Sequence, residues 1–261
     1  MDEAKILLLD IETSPVIAYQ WATSLYNSSI HIGQLIQDTY MLSFAVKWLG
    51  DKDITYHDQS SVKEKKNDYK LCLKLRDILS EADIVVAHNG RAFDMKFINS
   101  RFVAWGIDPP SPYQQIDTCE SAKKHFGFTY NSLEHLAIAL KCKHKKLKHD
   151  KYDGISLWIE CLAGNKDAWA EMKKYNINDI LALEDIYVKL RPYIVGHPNL
   201  GIFVDINDPI CPKCGGYVTR RGEYKNRTNV YYRYVCKTCA GWSRGRKSIN
   251  SANHKNKQLV N

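Results

Sequence analysis

No apolar stretch in the chain approaches 18 residues, which excludes a membrane-spanning helix. The opening MDEAKILLLDIET lacks both a basic start and a long apolar run before a cleavage site, so a secretory signal is not expected. A cytoplasmic location with reduced thiols follows as an expectation for the eight cysteines. No internal repeat is visible, which argues against a solenoid. Acid is almost missing from one region. Residues 209–261 hold 12 Lys and Arg against a single acid, Glu223, while the rest holds 25 basic residues against 28 acids. The formal charge of +8 therefore belongs to the C-terminal part. Such asymmetry points to a polyanionic partner there, the plain alternative being solubilising charge on a small module.

What is present is enough for one larger domain and a small one: 261 residues, 44% of them hydrophobic. Strands are expected at 5–11, 39–50, 53–58 and 83–88, with a short one near Gln115–Ile116. Helices are expected at 65–82, 92–105, from Asn131 through Leu140, and from about Lys166 to Arg191. Asp117 or Thr118 is the expected cap of a helix that follows the short strand. Residues 12–38 read as a long excursion on the active-site side, and 141–151 as a basic loop. Interleaved strands and helices give an α/β core, and three early strands in succession imply a mixed sheet.

Four carboxylates and one tyrosine carry the chemistry. Asp10 and Glu12 close the apolar run ILLLDIET, two apart and so on one face of a strand. Asp94 follows the run DIVVAH in HNGRAFD. Tyr175 and Asp179, in YNIND, are four apart on one helix face. Converging carboxylates suit hard divalent cations such as Mg²⁺ or Mn²⁺. Solvated surface acids would not explain why two of them close apolar runs.

The ordered set resembles the DEDD (DnaQ-like) superfamily of 3′–5′ exonucleases. Its motifs are a DxE on the first strand, an N-x₃-F-D (here Asn89, Phe93 and Asp94), and a last Asp preceded by Tyr or His. Tyr175 places the chain nearest the tyrosine subgroup, and FAVKWLG at 44–50, IDT at 116–118 and SLEHLA at 132–137 add to the likeness. Over about residues 4–193 the chain is similar to stand-alone bacterial or phage exonucleases related to the proofreading domain of family B polymerases. The resemblance implies a ribonuclease-H-like mixed five-stranded sheet flanked by helices. It implies two Mg²⁺ or Mn²⁺ ions on Asp10, Glu12, Asp94 and Asp179, with Tyr175 holding the attacking water. With an ordinary pKa of about 10, a tyrosine is a poor base at neutral pH and a better positioning group. By the same resemblance Thr13, Asn89 and Phe93 are substrate-side candidates, and the setting is the cytoplasm of a bacterium or of a phage-infected host. No polymerase domain is visible, so a role in replication or repair would need a polymerase or other such protein in trans.

A second metal site is read from spacing alone. Cys211-Pro-Lys-Cys214 and Cys236-Lys-Thr-Cys239 are paired knuckles with 21 residues between them, each followed by small residues. They read as a C-terminal Cys₄ zinc ribbon holding one structural Zn²⁺. Such a short segment has little core of its own, so metal supplies much of its folding free energy. Its interleaved cations and aromatics, Arg220 and Arg221 foremost, suit phosphates and unpaired bases. The aromatics could equally form the small core of the ribbon. The resulting organisation is a nuclease domain at 1–193, a linker at 194–208, the ribbon at 209–247 and a disordered tail at 248–261.

The expected activity is metal-dependent removal of nucleoside 5′-monophosphates from the 3′ end of a nucleic acid, with single-stranded DNA favoured and DNA against RNA left open by the sequence. The rivals are a structure-selective endonuclease or an RNA exonuclease on the same fold, and a zinc-ribbon nucleic-acid-binding module behind an inactive nuclease fold.

Overall fold

A computed structural model describes residues 4–21, 29–145, 151–205, 208–252 and 255. Most of the expected tail lies outside the described residues, as does the middle of the basic 141–151 loop.

Strand β1, Ile6–Thr13, is the axis of the molecule. Its alternation divides the core. Ile6 and Leu8 face one cluster, while Leu7, Leu9 and Ile11 face the other. Period 2 then puts Asp10 and Glu12 on the Leu8 side. After a two-stranded arm, β2 (Ile17–Ala18) with β3 (Leu35–Gln37), the chain returns as β4, Met41–Trp48, and turns at Gly50 into β5, Thr55–Asp58. Helix α1 (Tyr69–Ser80) leads to β6 (Ile84–Ala87), and α2 (Asp94–Trp105) to β7 (Gln114–Asp117). The sheet order is β5-β4-β1-β6-β7, with β4 and β5 antiparallel and β6 and β7 parallel to their inner neighbours. This is the mixed five-stranded sheet expected from the resemblance.

Helices α3 (Thr118–His125), α4 (Leu133–Ala139), α5 (Ser156–Leu162) and α6 (Lys166–Leu190) complete the layer over the Leu8 face. Helix α6 buries Ile180, Leu183, Ile186 and Tyr187 against Ile6, Leu8, Ala45 and Val86. Its first turns pack Ala168, Trp169 and Met172 against Tyr40, Leu42 and α5. On the other face Leu71, Leu75 and Leu79 of α1 meet Ile98 and Phe102 of α2. Between these two helices Asp68 is fully buried, accepting from Arg101 at 2.6 and 2.9 Å, from Trp105 Nε1 at 2.6 Å and from the Met41 N–H at 2.7 Å. The strand β1 runs on through Glu12 to Thr13, two residues past the expected end, because β4 pairs with it that far.

The C-terminal part forms β8 (Val218–Lys225), β9 (Val230–Cys236) and β10 (Trp242–Arg244) in the order β10-β9-β8. Between it and α6 the chain makes short 3₁₀ turns at Arg191–Tyr193 and, inside the linker expected at 194–208, at Leu200–Ile202. The Leu200 N–H donates to Pro212 O at 2.8 Å, and Lys213 Nζ donates to Pro192 O, which seats the strands on the end of α6. Among the described residues no helix is long and apolar enough to cross a membrane.

Candidate active site

The expected acids meet at the carboxyl end of β1. Ligand oxygens of Asp10, Glu12 and Asp179 lie within 4.8 Å of one another. Asp179 arrives from α6, on the face that also carries Tyr175. Asp94 opens α2 and is a neighbour rather than a member of this trio. One of its oxygens accepts from the Ile11 N–H, between the other two acids, at 3.3 Å.

The electrostatics are those of carboxylates that repel one another. Burial raises Asp10 well above the usual carboxylate range, and Glu12, Asp179 and Asp94 push it further in the same direction. Burial likewise pushes Asp94 up to about 6. Tyr175 is held above its ordinary value by burial and by Asp179, Glu12 and Asp10, so its phenol keeps its proton and serves as a donor. An all-oxygen, mutually repelling donor set of this kind fits Mg²⁺ or Mn²⁺.

The loop carrying Asp94 is fixed by Asp117. That carboxylate accepts from the N–H groups of Asn89 at 3.0 Å and Arg91 at 3.1 Å, and it caps α3 through Cys119 and Glu120. The expected capping residue therefore also anchors the acid loop. Asn89 sits at φ 63°, and a Cβ on Gly90 would come within 2.4 Å of the Ala87 Cβ, so the turn requires glycine there. Phe93 is half exposed and stacks on Phe97. Thr13 ends β1 opposite Met41, just past the acid pair.

Two residues that sequence reasoning passed over complete the site. Asn176, fully buried, donates through Nδ2 to Asp10 Oδ2 at 2.5 Å, while its Oδ1 accepts from Ser43 at 3.2 Å. It is three residues from Asp179, and a buried-face asparagine in an otherwise apolar stripe was the available sign. Trp158 donates through Nε1 to Glu12 Oε2 at 3.1 Å, and its ring meets that of Tyr175 edge-on at 6.0 Å. Nothing in ISLWIECLAG announces this, since the approach of α5 is purely tertiary.

Beyond the C-terminal end of α6, Cys211, Cys214, Cys236 and Cys239 cluster, with sulfurs 3.7 Å apart for Cys211–Cys239 and 3.5 Å for Cys214–Cys236. The knuckles turn through Gly215 and Ala240, both at positive φ. Burial pushes the Cys211 and Cys214 thiols up. Burial acts on Cys236 too, but N–H donation from Cys239 and Thr238, together with hydrogen bonds from the Cys214 and Cys239 side chains, outweighs it and brings that thiol to about 7. Four converging sulfurs fed by backbone N–H groups fit zinc. The ribbon's arginines lie over its rings: Arg220 over Tyr232 at 4.7 Å, Arg233 over Trp242 at 4.9 Å and Arg244 over Tyr231 at 4.2 Å. The Arg221 carbonyl accepts from Arg233, and its own side chain is exposed.

Comparison with known proteins gives these positions a family. The DNA polymerase III PolC-type of Ureaplasma parvum serovar 3 is 25% identical over 228 residues, 79% of this chain and 14% of that protein. The family B DNA polymerase of the archaeon Pyrobaculum calidifontis superposes with a TM-score of 0.51 at 13% identity, over 74% of this chain and 26% of that one. The chain thus spans a small fraction of each polymerase. The model of the RNase_H_2 family matches residues 35–191, a range that takes in Asp94, Tyr175 and Asp179 and begins after the Asp10–Glu12 strand. The chain belongs to the RNase H superfamily.

Proposed function

We propose that this protein is a metal-dependent 3′–5′ exonuclease, and that its C-terminal ribbon helps to hold the nucleic acid. The observation that carries the reading is the convergence of Asp10, Glu12 and Asp179 within 4.8 Å, beside Asp94 and a tyrosine kept protonated. Bound Mg²⁺ or Mn²⁺ would supply activation of a water and stabilisation of charge on the departing oxygen. The four carboxylates would hold those ions. Tyr175 would donate to or orient the attacking water, and Asn176 and Trp158 would keep Asp10 and Glu12 in place. Water attacks phosphorus, the bond from phosphorus to the 3′ oxygen breaks, that oxygen takes a proton, and a nucleoside 5′-monophosphate leaves.

DNA is the favoured substrate because both relatives are named as DNA polymerases. A polymerase or another replication or repair protein acting in trans is the partner this implies. The ribbon, with Zn²⁺ on its four cysteines, supplies the positive charge that the acid-rich domain lacks.

A time course on 5′-labelled single-stranded DNA and RNA, blunt duplex and closed circle, with Mg²⁺ or with EDTA, tests the whole reading. A ladder shortening from the 3′ end of DNA, an intact circle and silence in EDTA are expected. A nicked circle would make the protein an endonuclease, and a folded Asp10→Ala protein that still cuts would remove the acids from the chemistry.

A further inference from the structure

The segment between the two acid-bearing stretches is the strangest surface of the molecule. From Thr13 to Gln37 there is no Asp, Glu, Lys or Arg, in a chain where a quarter of all residues carry charge. Its described parts expose rather than bury their apolar side chains: Trp21 is 99% exposed, Ile32 82% and Tyr19 73%, with Ile17, Leu35 and Ile36 also open. Exposed apolar surface of this extent marks an interaction site.

The described parts of the arm are tied to one another and to the root. Ile17 pairs with Gln37 and Ala18 with Leu35. The Tyr19 N–H donates to Gln34 O at 2.9 Å, and the Gln34 amide returns a bond to Tyr19 O at 3.0 Å. His31 caps the 3₁₀ turn between the strands with a reciprocal pair of bonds to Gly33 and Gln34. The root is tied where β1 ends: the Ser14 N–H donates to Tyr40 O at 2.8 Å, and Tyr40 N–H donates to Ser14 Oγ at 3.0 Å. Ser14 is two residues beyond Glu12, so the arm springs from the rim of the acid cluster.

We infer that this arm receives the bases of the unpaired 3′-terminal nucleotides, by stacking and apolar contact. The inference rests on the exonuclease reading. A strand whose 3′ end reaches Asp10 and Glu12 passes the root of the arm. The arm has no cation for a phosphate and no anion to repel one. What it offers is aromatic and aliphatic area, which nucleobases match whatever their identity, at about 1–3 kcal/mol per stacked base.

The test is binding of a fluorescent single-stranded DNA, read by anisotropy in buffer with neither Mg²⁺ nor Mn²⁺ added and no chelator, so that nothing is cut and the cysteine cluster keeps its metal. Two oligonucleotides are compared, one intact and one whose last three 3′ nucleotides are abasic. Wild type should bind the abasic strand about tenfold more weakly than the intact one. Trp21→Ala and Tyr19→Ala should bind the intact strand about tenfold more weakly and lose nothing more on the abasic one, while Trp21→Phe restores the difference. Trp21 is almost wholly exposed, so its removal spares the fold, which melting confirms. Variants that bind both strands as wild type does overturn the arm assignment alone. So does a dimer that Trp21→Ala splits with DNA affinity intact, which would give the arm to a second copy. A wild type that binds neither strand overturns the nuclease reading together with the arm.

Discussion

Asp10, Glu12 and Asp179 stand on a strand and a helix whose apolar faces are already packed, whereas the four cysteines stand on a ribbon in which only Cys211, Cys236 and Gly241 are buried among residues 211–247. In the first region packing builds the site and the site strains the packing, since burial and the neighbouring carboxylates together hold Asp10 well above the usual carboxylate range. In the second there is almost nothing to pack, and the sulfurs are what the strands have in common. One region would bind metal in order to act, the other in order to exist.

The hardest way to break this comparison is to take the metals away. Chelation, or Cys214→Ser, should unfold residues 209–247 outright, because the metal free energy of such sites is on the order of 10 kcal/mol. The sheet and helices of residues 5–190 should stay folded. Limited proteolysis and hydrogen exchange read the two regions separately. Protection lost across both together would show that the ribbon is structural support for the nuclease fold.

A comparable blow to the larger region must strike its packing. Asp68→Ala leaves the part-buried Arg101 and Trp105 Nε1 and the buried Met41 N–H without their acceptor. Breaking a buried pair in this way costs about 3–5 kcal/mol. Urea melts followed by near-ultraviolet dichroism should show that loss, with any metal held by the four cysteines unchanged.

Changes at the acids should separate activity from stability. Asp10→Asn should cost on the order of 10²–10³-fold in cleavage rate. The metal-free variant should melt no lower than wild type, because a repelling charge has gone and Asn176 still finds an oxygen to bond. A large drop in melting temperature would mean that the charge is structural. Further down the scale, Asn176→Ala should weaken Mn²⁺ binding, read by calorimetry, by about 10–100-fold. Unchanged Mn²⁺ affinity would reduce Asn176 to a packing residue.

These particulars show what the chain's own pattern made legible. The apolar run before Asp10 announces β1, and period 2 fixes which face its acids take. Asp117 before a helical run announces a cap, and paired CxxC spacing announces the ribbon. Contacts created by distant packing stay silent: Trp158 reaches Glu12 from 146 residues away, and Asn176 meets Asp10 only once α6 lies on β1. The arm was legible as an excursion, yet its open apolar face was not, because sequence patterns assign apolar residues to the core by default.

The smallest effect bears on how the ribbon works. Arg220 borders the irregularity in β8 and Arg221 lies within it; both are exposed, with Arg220 resting over Tyr232. If both engage phosphates, Arg220→Ala with Arg221→Ala should lower the slope of log binding constant against log salt by about 1–2 units. Cleavage of saturating substrate should hardly change, since neither residue approaches the acids. The cost of lifting Arg220 from its ring is about 0.5–1 kcal/mol at an exposed site, too little to unfold a metal-held ribbon. A changed slope with unchanged turnover assigns capture to one region and chemistry to the other. An unchanged slope would leave the ribbon's cations for an acidic protein surface and return nucleic-acid binding to the nuclease domain alone.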